Sequence, residues 1–420
     1  MDKACTNGKL DINDNSIDML PVLKSAYKPT SGYGLSTRVT HSSTKPSDWA
    51  HSPIVAPIYL TTTFEVLEPG NAVYDYSRSD NPTRTELQKY FANIEKAKYS
   101  LAFSSGLGAL TTLTYLLQTG QHILCCDDVY GGTFRLFSRC TARMGIETSY
   151  VDGTELKNWE ANFRVGKTKM VWIETPTNPM LKIIDIVAVV KAIKSLDKDC
   201  IVVVDNTFMT SVFQLPLELG ADIVMHSCSK YMSGHSDIIM GCVMLNNDQL
   251  YKELKFYQNS LGITPSPYDC AMMMRSLKTL DIRVRQQTTN AMKIAQYLEA
   301  HELTDRVLYP GLESHPQHKL AVQQSTGFGA MLSVYIKLRH GDEPFKFMRA
   351  VKIFHPAESL GCVCSLIEIP AIMTHASVPK ESRQRLGISD NLLRLSVGIE
   401  NVEDLIADLD AAFQEVYGQK

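Results

Sequence analysis

A chain of 420 residues, 44% hydrophobic and 21% charged, has the composition of an ordinary globular protein with room for one large domain and a smaller one. A net charge of -3 and the lack of any basic run exclude the electrostatic footprint of a nucleic-acid or anionic-membrane binder, so neither is expected as a partner. The stretch MDKACTNGKLDINDNSIDML lacks the basic and apolar segments of a secretory signal, and no apolar run approaches the roughly 20 residues of a membrane helix, so a cytoplasmic protein is expected.

Residues 1–30 are polar and aperiodic and read as a flexible extension. Residues 31–79 read as an extended arm, because Pro53, Pro57 and Pro69 prevent any long helix. Asn81-Pro82-Thr83 then starts a helix: Asn81 caps it, Pro82 suits the first turn, and Leu87, Phe91 and Ile94 recur at helical spacing. Strands and helices alternate from there. The spacing predicts strands at 100–104, 121–126, 146–151, 168–174, 200–205, 222–226 and 237–245, and a helix capped by Asp185 whose apolar stripe is Ile186, Val189, Val190, Ile193 and Leu196. Such alternation predicts an α/β fold with a large, mostly parallel, seven-stranded sheet and helices on both faces. Ligands then gather at the strands' carboxyl ends. Pro267 to about His301 reads as one long helix joining a large domain, 80–282, to a smaller C-terminal α/β domain, 283–420. The ten cysteines sit mostly inside apolar runs with no zinc-like spacing, so reduced core thiols and no metal are expected. Cys362 and Cys364 form a C-x-C that is either structural or redox-active, and Cys228 stands beside a lysine of interest.

That lysine belongs to the stretch around which the chain is organised. Ile201–Val204 is β-branched and apolar on both faces, so it is a strand buried between layers that delivers Asp205 at its carboxyl end. A second apolar run, Ala221–Met225, ends in His226-Ser227-Cys228-Ser229-Lys230, two hydroxyls and an amine on one tight turn. Singly, Asp205 is a cap and Lys230 a solvated charge. Together they match what pyridoxal phosphate requires: an amine to condense with its aldehyde, hydroxyls for its phosphate, and an acid that keeps the pyridine nitrogen protonated. Ser104-Ser105-Gly106-Leu107-Gly108 opens a helix after a short apolar run, so its free amides and dipole suit a phosphate. The double glycine after Tyr130 lets backbone approach a ligand, on whose ring Tyr130 can stack. Arg394 lies in the apolar run Leu392–Val397, where it needs either a substrate α-carboxylate or an internal ion pair.

Ser227-Cys228-Ser229-Lys230-Tyr231-Met232-Ser233-Gly234-His235-Ser236-Asp237 resembles the cofactor-lysine segment of the Cys/Met-metabolism family of pyridoxal phosphate enzymes. Tyr76-Ser77-Arg78 before Asn81-Pro82-Thr83 resembles that family's Y-x-R-x-x-N-P-T, and Glu174-Thr175-Pro176-Thr177-Asn178-Pro179 its E-x-P-x-N-P turn. The resemblance runs from about Ser31 to the end and implies the aspartate aminotransferase-like fold (fold type I) and a homotetramer, a dimer of dimers. It implies that the arm's Tyr76 and Arg78 complete the phosphate site of a neighbouring subunit, and that the Gly106 and Leu107 amides join Ser227 and Ser229 on the phosphate. Asn178 is implied to bond the cofactor's 3-oxygen or the substrate carboxylate, and Thr207 to lie beside the ring. Tyr130 is implied to move protons, and Arg135 to reach the substrate's distal end. Glu358, Ser359 and Thr374 fall in the family's specificity region, where Glu358 argues for chemistry at Cγ. The implied reaction is γ-elimination of L-cystathionine to L-cysteine, 2-oxobutanoate and ammonia, with hydrogen sulfide release from cysteine as a side activity. The alternatives are γ-replacement on an activated homoserine, or a silent scaffold of the same fold. Gly132 stands where methionine γ-lyases carry cysteine, Ser229 where threonine is common, and Cys362 where glycine is common.

Overall fold

The structure is a computed structural model and describes residues 33–41, 45–376 and 378–418. The expected 1–30 extension therefore lies outside the described residues. Seven strands form the large sheet: β1 (Tyr99–Phe103), β2 (His122–Cys126), β3 (Glu147–Val151), β4 (Thr168–Glu174), β5 (Ile201–Asp205), β6 (Ile223–Ser227) and β7 (Gly241–Leu245). Their order is β1-β7-β6-β5-β4-β2-β3, antiparallel where β7 meets β1 and β6 and parallel elsewhere. All seven predicted strands are present. The last is shorter than the predicted 237–245, because the Met240 amide bonds the Ser229 side chain instead of joining the ladder.

Alternation along the strands divides the core in two. Leu101, Phe103, Val243 and Leu245 enter one apolar cluster, whereas Ala102, Cys242 and Met244 enter the other, which continues into the C-terminal part. Successive side chains on a strand point to opposite faces, so a central sheet apolar on both faces builds two cores at once. The second sheet has the order β10-β11-β12-β9-β8, from β8 (Thr304–Leu308), β9 (Met331–Ile336), β10 (His355–Pro356), β11 (Leu366–Glu368) and β12 (Leu392–Ser396). Only β10 and β11 run parallel in it.

The single long helix expected from Pro267 is two helices, Pro267–Leu277 and Leu280–Ala300. Thr279 leaves the helical region with φ -110 and ψ 5, and its hydroxyl donates to the Ser276 carbonyl at 3.2 Å. A β-branched residue that back-bonds in this way weakens helix continuation. Among its described residues the arm holds only a short helix, Leu35–Thr40, and one 3-10 turn, and it exposes Ile54, Val55, Leu60 and Leu67. Among the described cysteines all are free; Cys140 and Cys364 are exposed and the others buried. No helix of the described residues is long and apolar enough to cross a membrane.

Candidate active site

Parallel pairing brings the ends of β4, β5 and β6 together. Glu174 and Asp205 are register partners, and Ser227 lies two residues past the partner of Asp205, Met225. The Asp205 carboxylate accepts from the Thr207 amide at 2.9 Å and the Thr207 hydroxyl at 2.5 Å, and the same Thr207 oxygen accepts from the Ser227 amide at 2.8 Å. Thr207 thus orients the acid and ties β5 to β6. Burial raises the Asp205 pKa, against the lowering effect of those Thr207 bonds. Burial, and then the Asp205 charge beside it, push Glu174 up to about 8. Two carboxyls abreast, Glu174 buried and Asp205 half-buried, disfavour each other's ionisation, and a cation nearby relieves both.

Lys230 follows β6 on a turn closed by its own amide donating to Ser227 O at 3.2 Å and by the Gly234 amide donating to Lys230 O at 2.8 Å. Its amine donates to Ser359 Oγ at 2.8 Å. Burial, and then the Arg394 charge, lower the Lys230 pKa to about 8, while Glu368 and Glu358 act in the opposite sense. An amine so tuned is largely poised to take or give a proton near neutrality. The loop that meets it is shaped for close approach. Ser359 has φ 88, and Gly361 has φ 79 with room for no side chain: a Cβ there would lie 2.6 Å from the Tyr231 nitrogen.

Arg394, on β12, lies at the centre of a buried polar ring. It donates to Asn178 Oδ1 at 2.9 Å and Ser359 O at 2.8 Å, and pairs with Glu368 at 3.1 Å. Glu368 accepts from Thr374 Oγ1 at 2.6 Å, Thr374 Oγ1 contacts His375 Nδ1 at 3.0 Å, and His375 Nε2 reaches the Asn178 carbonyl at 3.0 Å. Of the two partners open to Arg394 at the level of sequence, the internal ion pair is therefore present. The guanidinium Nε remains without a hydrogen-bond partner, so the group keeps a donor for a further carboxylate. Burial and the Arg394 charge hold His375 neutral, with a pKa lowered to about 4.

The helix Gly106–Thr114 begins at Ser105, whose side chain accepts from the Gly108 amide at 2.9 Å. The Gly106 and Leu107 amides precede the first intrahelical bond and are left for a ligand. Gly106 touches the strand end: a Cβ on it would lie 3.0 Å from Ser227 Cβ. Ser229 is turned the other way, donating to Met240 O at 3.2 Å and accepting from the Met240 amide at 2.9 Å.

Tyr130 opens the helix Gly131–Arg135, with its amide donating to Glu174 Oε2 at 2.9 Å. Its ring crosses Gly132, where a Cβ would meet Cε1 at 2.3 Å. A cysteine at 132 could not leave the ring in this seat.

The structure thus joins Asp205, Thr207, Ser227, Lys230, Ser359, Asn178 and Arg394 through direct bonds and Thr374 through Glu368 and His375, with Gly106 packed against them and Tyr130 tied to them through Glu174. Leu107 is half-buried beside Gly106, and Glu358 is exposed and acts on Lys230 through its charge. Arg135 is exposed at its helix end. Tyr76 and Arg78 are engaged elsewhere: Arg78 donates to Asn259 O at 2.8 Å and Asn259 Oδ1 at 2.7 Å, and its guanidinium lies 5.7 Å from the Tyr76 ring centre. Glu368, His375 and Thr133 were given no role from sequence, and Glu174 entered only as the first residue of the E-x-P-x-N-P turn. Glu368 carried a usable signal, an acid inside the apolar run Leu366–Ile369 that mirrors Arg394 in its own.

A pyridoxal phosphate fits these residues on three counts: a half-buried amine with a lowered pKa, paired carboxyls that a pyridinium would relieve, and an open helix N-terminus over Ser227. Fold and site together define a pyridoxal phosphate enzyme of fold type I. The model of the family described as Cys/Met metabolism PLP-dependent enzyme matches residues 36–414, and the protein belongs to that family. It is 51% identical over 384 residues to cystathionine gamma-lyase of Sus scrofa, covering 91% of this chain and 94% of that protein. To the enzyme of the same name from Homo sapiens it is 49% identical over 384 residues, covering 91% and 94%. Cystathionine gamma-lyase of Lactobacillus plantarum, solved with L-serine, superposes with a TM-score of 0.88 at 38% identity over 91% of this chain and 99% of that one. Cystathionine gamma synthase of Xanthomonas oryzae pv. oryzae, solved with cystathionine, gives 0.88 at 38% identity over 92% and 100%.

Proposed function

We infer that the protein catalyses γ-elimination of L-cystathionine with one water, releasing L-cysteine, 2-oxobutanoate and ammonia. The observation that carries this reading is the identity of about half of all aligned residues, over nine-tenths of the chain, to cystathionine gamma-lyases from several organisms. When bound, pyridoxal phosphate supplies the electron sink that acidifies protons near the substrate's amino group. Lys230 holds the cofactor's carbon and then carries protons between Cα and Cβ, which its lowered pKa suits. Asp205, oriented by Thr207, pairs with the ring nitrogen. Ser227, Ser229 and the Gly106 and Leu107 amides hold the phosphate. Ser229 must give up its donor bond to Met240 to do so. Arg394 and Asn178 bind the α-carboxylate, Ser359 and Thr374 shape the pocket, and Glu358 and Arg135 face the distal amino-acid end. Tyr130 stacks on the ring, and Tyr130 or Lys230 protonates the departing sulfur. Hydrogen sulfide release from cysteine is the accompanying side reaction.

Tyr76 and Arg78 act in a neighbouring copy, within a cytoplasmic homotetramer. Support comes from the exposed apolar arm and from the engagement of Arg78 away from Lys230. Mixing Arg78→Ala with Lys230→Ala subunits should then restore part of the activity that each lacks alone. The reaction itself is tested by supplying pyridoxal phosphate and L-cystathionine and identifying products by mass. Cysteine with 2-oxobutanoate supports the reading. Homocysteine with pyruvate overturns it, and so does cystathionine formation from activated homoserine and cysteine without cleavage, the synthase outcome.

A further inference from the structure

The reaction outlined above leaves Glu174 unused, although its carboxyl is 6% exposed and abreast of Asp205. It accepts three bonds: from the Tyr130 amide at 2.9 Å on Oε2, and from the Thr133 hydroxyl at 2.9 Å and the Trp172 indole N–H at 3.1 Å on Oε1. The amide and the indole can only donate, and the hydroxyl can donate as well, so the pocket is built to use both carboxyl oxygens as acceptors. Two of the three donors belong to one turn, Tyr130 to Thr133. The helix that starts there has no side-chain cap of its own, and the acid from β4 instead holds the amide of its leading residue and the hydroxyl of its third. The Tyr130 ring is 39% exposed. What locates the ring is its backbone, held by Glu174, and the bare Gly132 beneath it.

We propose that Glu174 is a positioning residue: it ties the Tyr130–Thr133 turn to the end of β4, abreast of Asp205 on β5, and so sets the face of Tyr130 against the cofactor ring whose nitrogen Asp205 holds. The proposal rests on the reading of Tyr130 as the stacking and proton-moving group. The side chain of Glu174 itself touches neither cofactor nor substrate, and its action runs through the Tyr130 backbone.

The test uses holoenzyme and reads the bound cofactor before any turnover. Glu174→Gln keeps size and shape; with its oxygen toward Thr133 and Trp172, its amide nitrogen faces the Tyr130 N–H, donor against donor. The expected result is a weakened or shifted visible circular dichroism band per bound cofactor. A kcat loss on the order of 100-fold at nearly unchanged KM should accompany it, the scale set by a small misplacement of a reacting group. Placed in a Tyr130→Ala background, Glu174→Gln should leave the band where Tyr130→Ala alone puts it. Thr133→Val, which removes one donor and keeps the acid, should move the band the same way by less, and it serves if Glu174→Gln does not fold. An unchanged band in both variants overturns the proposal. So does a band shift of equal size with and without the Tyr130 ring, which marks a general structural role. Failure of wild-type protein to cleave cystathionine would sink the proposed reaction alone, because the band needs only bound cofactor.

Discussion

The two halves of the site solve the burial of charge in opposite ways. On the small sheet, Arg394 and Glu368 neutralise each other across adjacent strands, and Thr374, His375 and Asn178 close a ring of bonds around them. On the large sheet, Glu174 and Asp205 stand abreast as like charges, each raised by burial. One half is complete in the protein alone and needs only to receive a carboxylate. The other sets two acids abreast whose raised pKa values favour the protonated form, and under the proposed function the cofactor's ring nitrogen supplies the cation. A substrate half that is already assembled, and a cofactor half that the cofactor itself completes, fit a protein that holds its cofactor permanently and exchanges its substrate.

The strongest way to break the comparison is at the lysine between the halves. Lys230→Ala should reduce 2-oxobutanoate formation by at least roughly 1,000-fold, since no other amine stands in its place; near-normal turnover would remove the lysine from the mechanism. Next, Glu368→Leu should strip the completed half of its counter-charge. Breaking a buried pair costs about 3–5 kcal/mol, so the denaturant midpoint should fall sharply, in cofactor-free and loaded protein alike.

Asp205→Asn should do the reverse to the cofactor-free protein. Removing one of two like carboxyls should raise its melting temperature at pH 8 while weakening cofactor retention, and a lower melting temperature would contradict the picture of two opposed acids. The smallest effect is in the pH dependence of cofactor-free stability. Glu174 titrates near its ordinary value of 4.5 when unfolded and near 8 when folded. The folded protein therefore binds the extra proton, and stability falls as pH rises through that window. His122, His315 and His375, all lowered to about 4, oppose this only below their ordinary 6.5. Lys230, lowered to about 8, opposes the slope as pH nears 8, so the fall should be visible in unfolding titrations above pH 6.5 and short of 8, and it should flatten in Glu174→Gln.

Much of this was legible in the chain. Val202, Val203 and Val204 announce a strand buried on both faces, and a strand so read must present Asp205 at its end. The turn after β6, with its serines and lysine, follows from the same logic. The break at Thr279 was not legible, because Leu277 and Leu280 keep helical spacing across it and only the back-bond of one hydroxyl interrupts the helix. Residues 42–44 and Ser377, within the arm and specificity segments read from sequence, lie outside the described residues.

Residue type and periodicity determined by themselves the strand ends and the groups they carry, since an apolar run in a parallel sheet has one buried path and one carboxyl end. What only the tertiary structure decided is pairing between elements distant in the chain: Glu368 with Arg394, Glu174 with the Tyr130 turn, Ser359 with Lys230. Those partners are set by register and by the approach of one sheet to the other, and the pattern along a single strand carries neither.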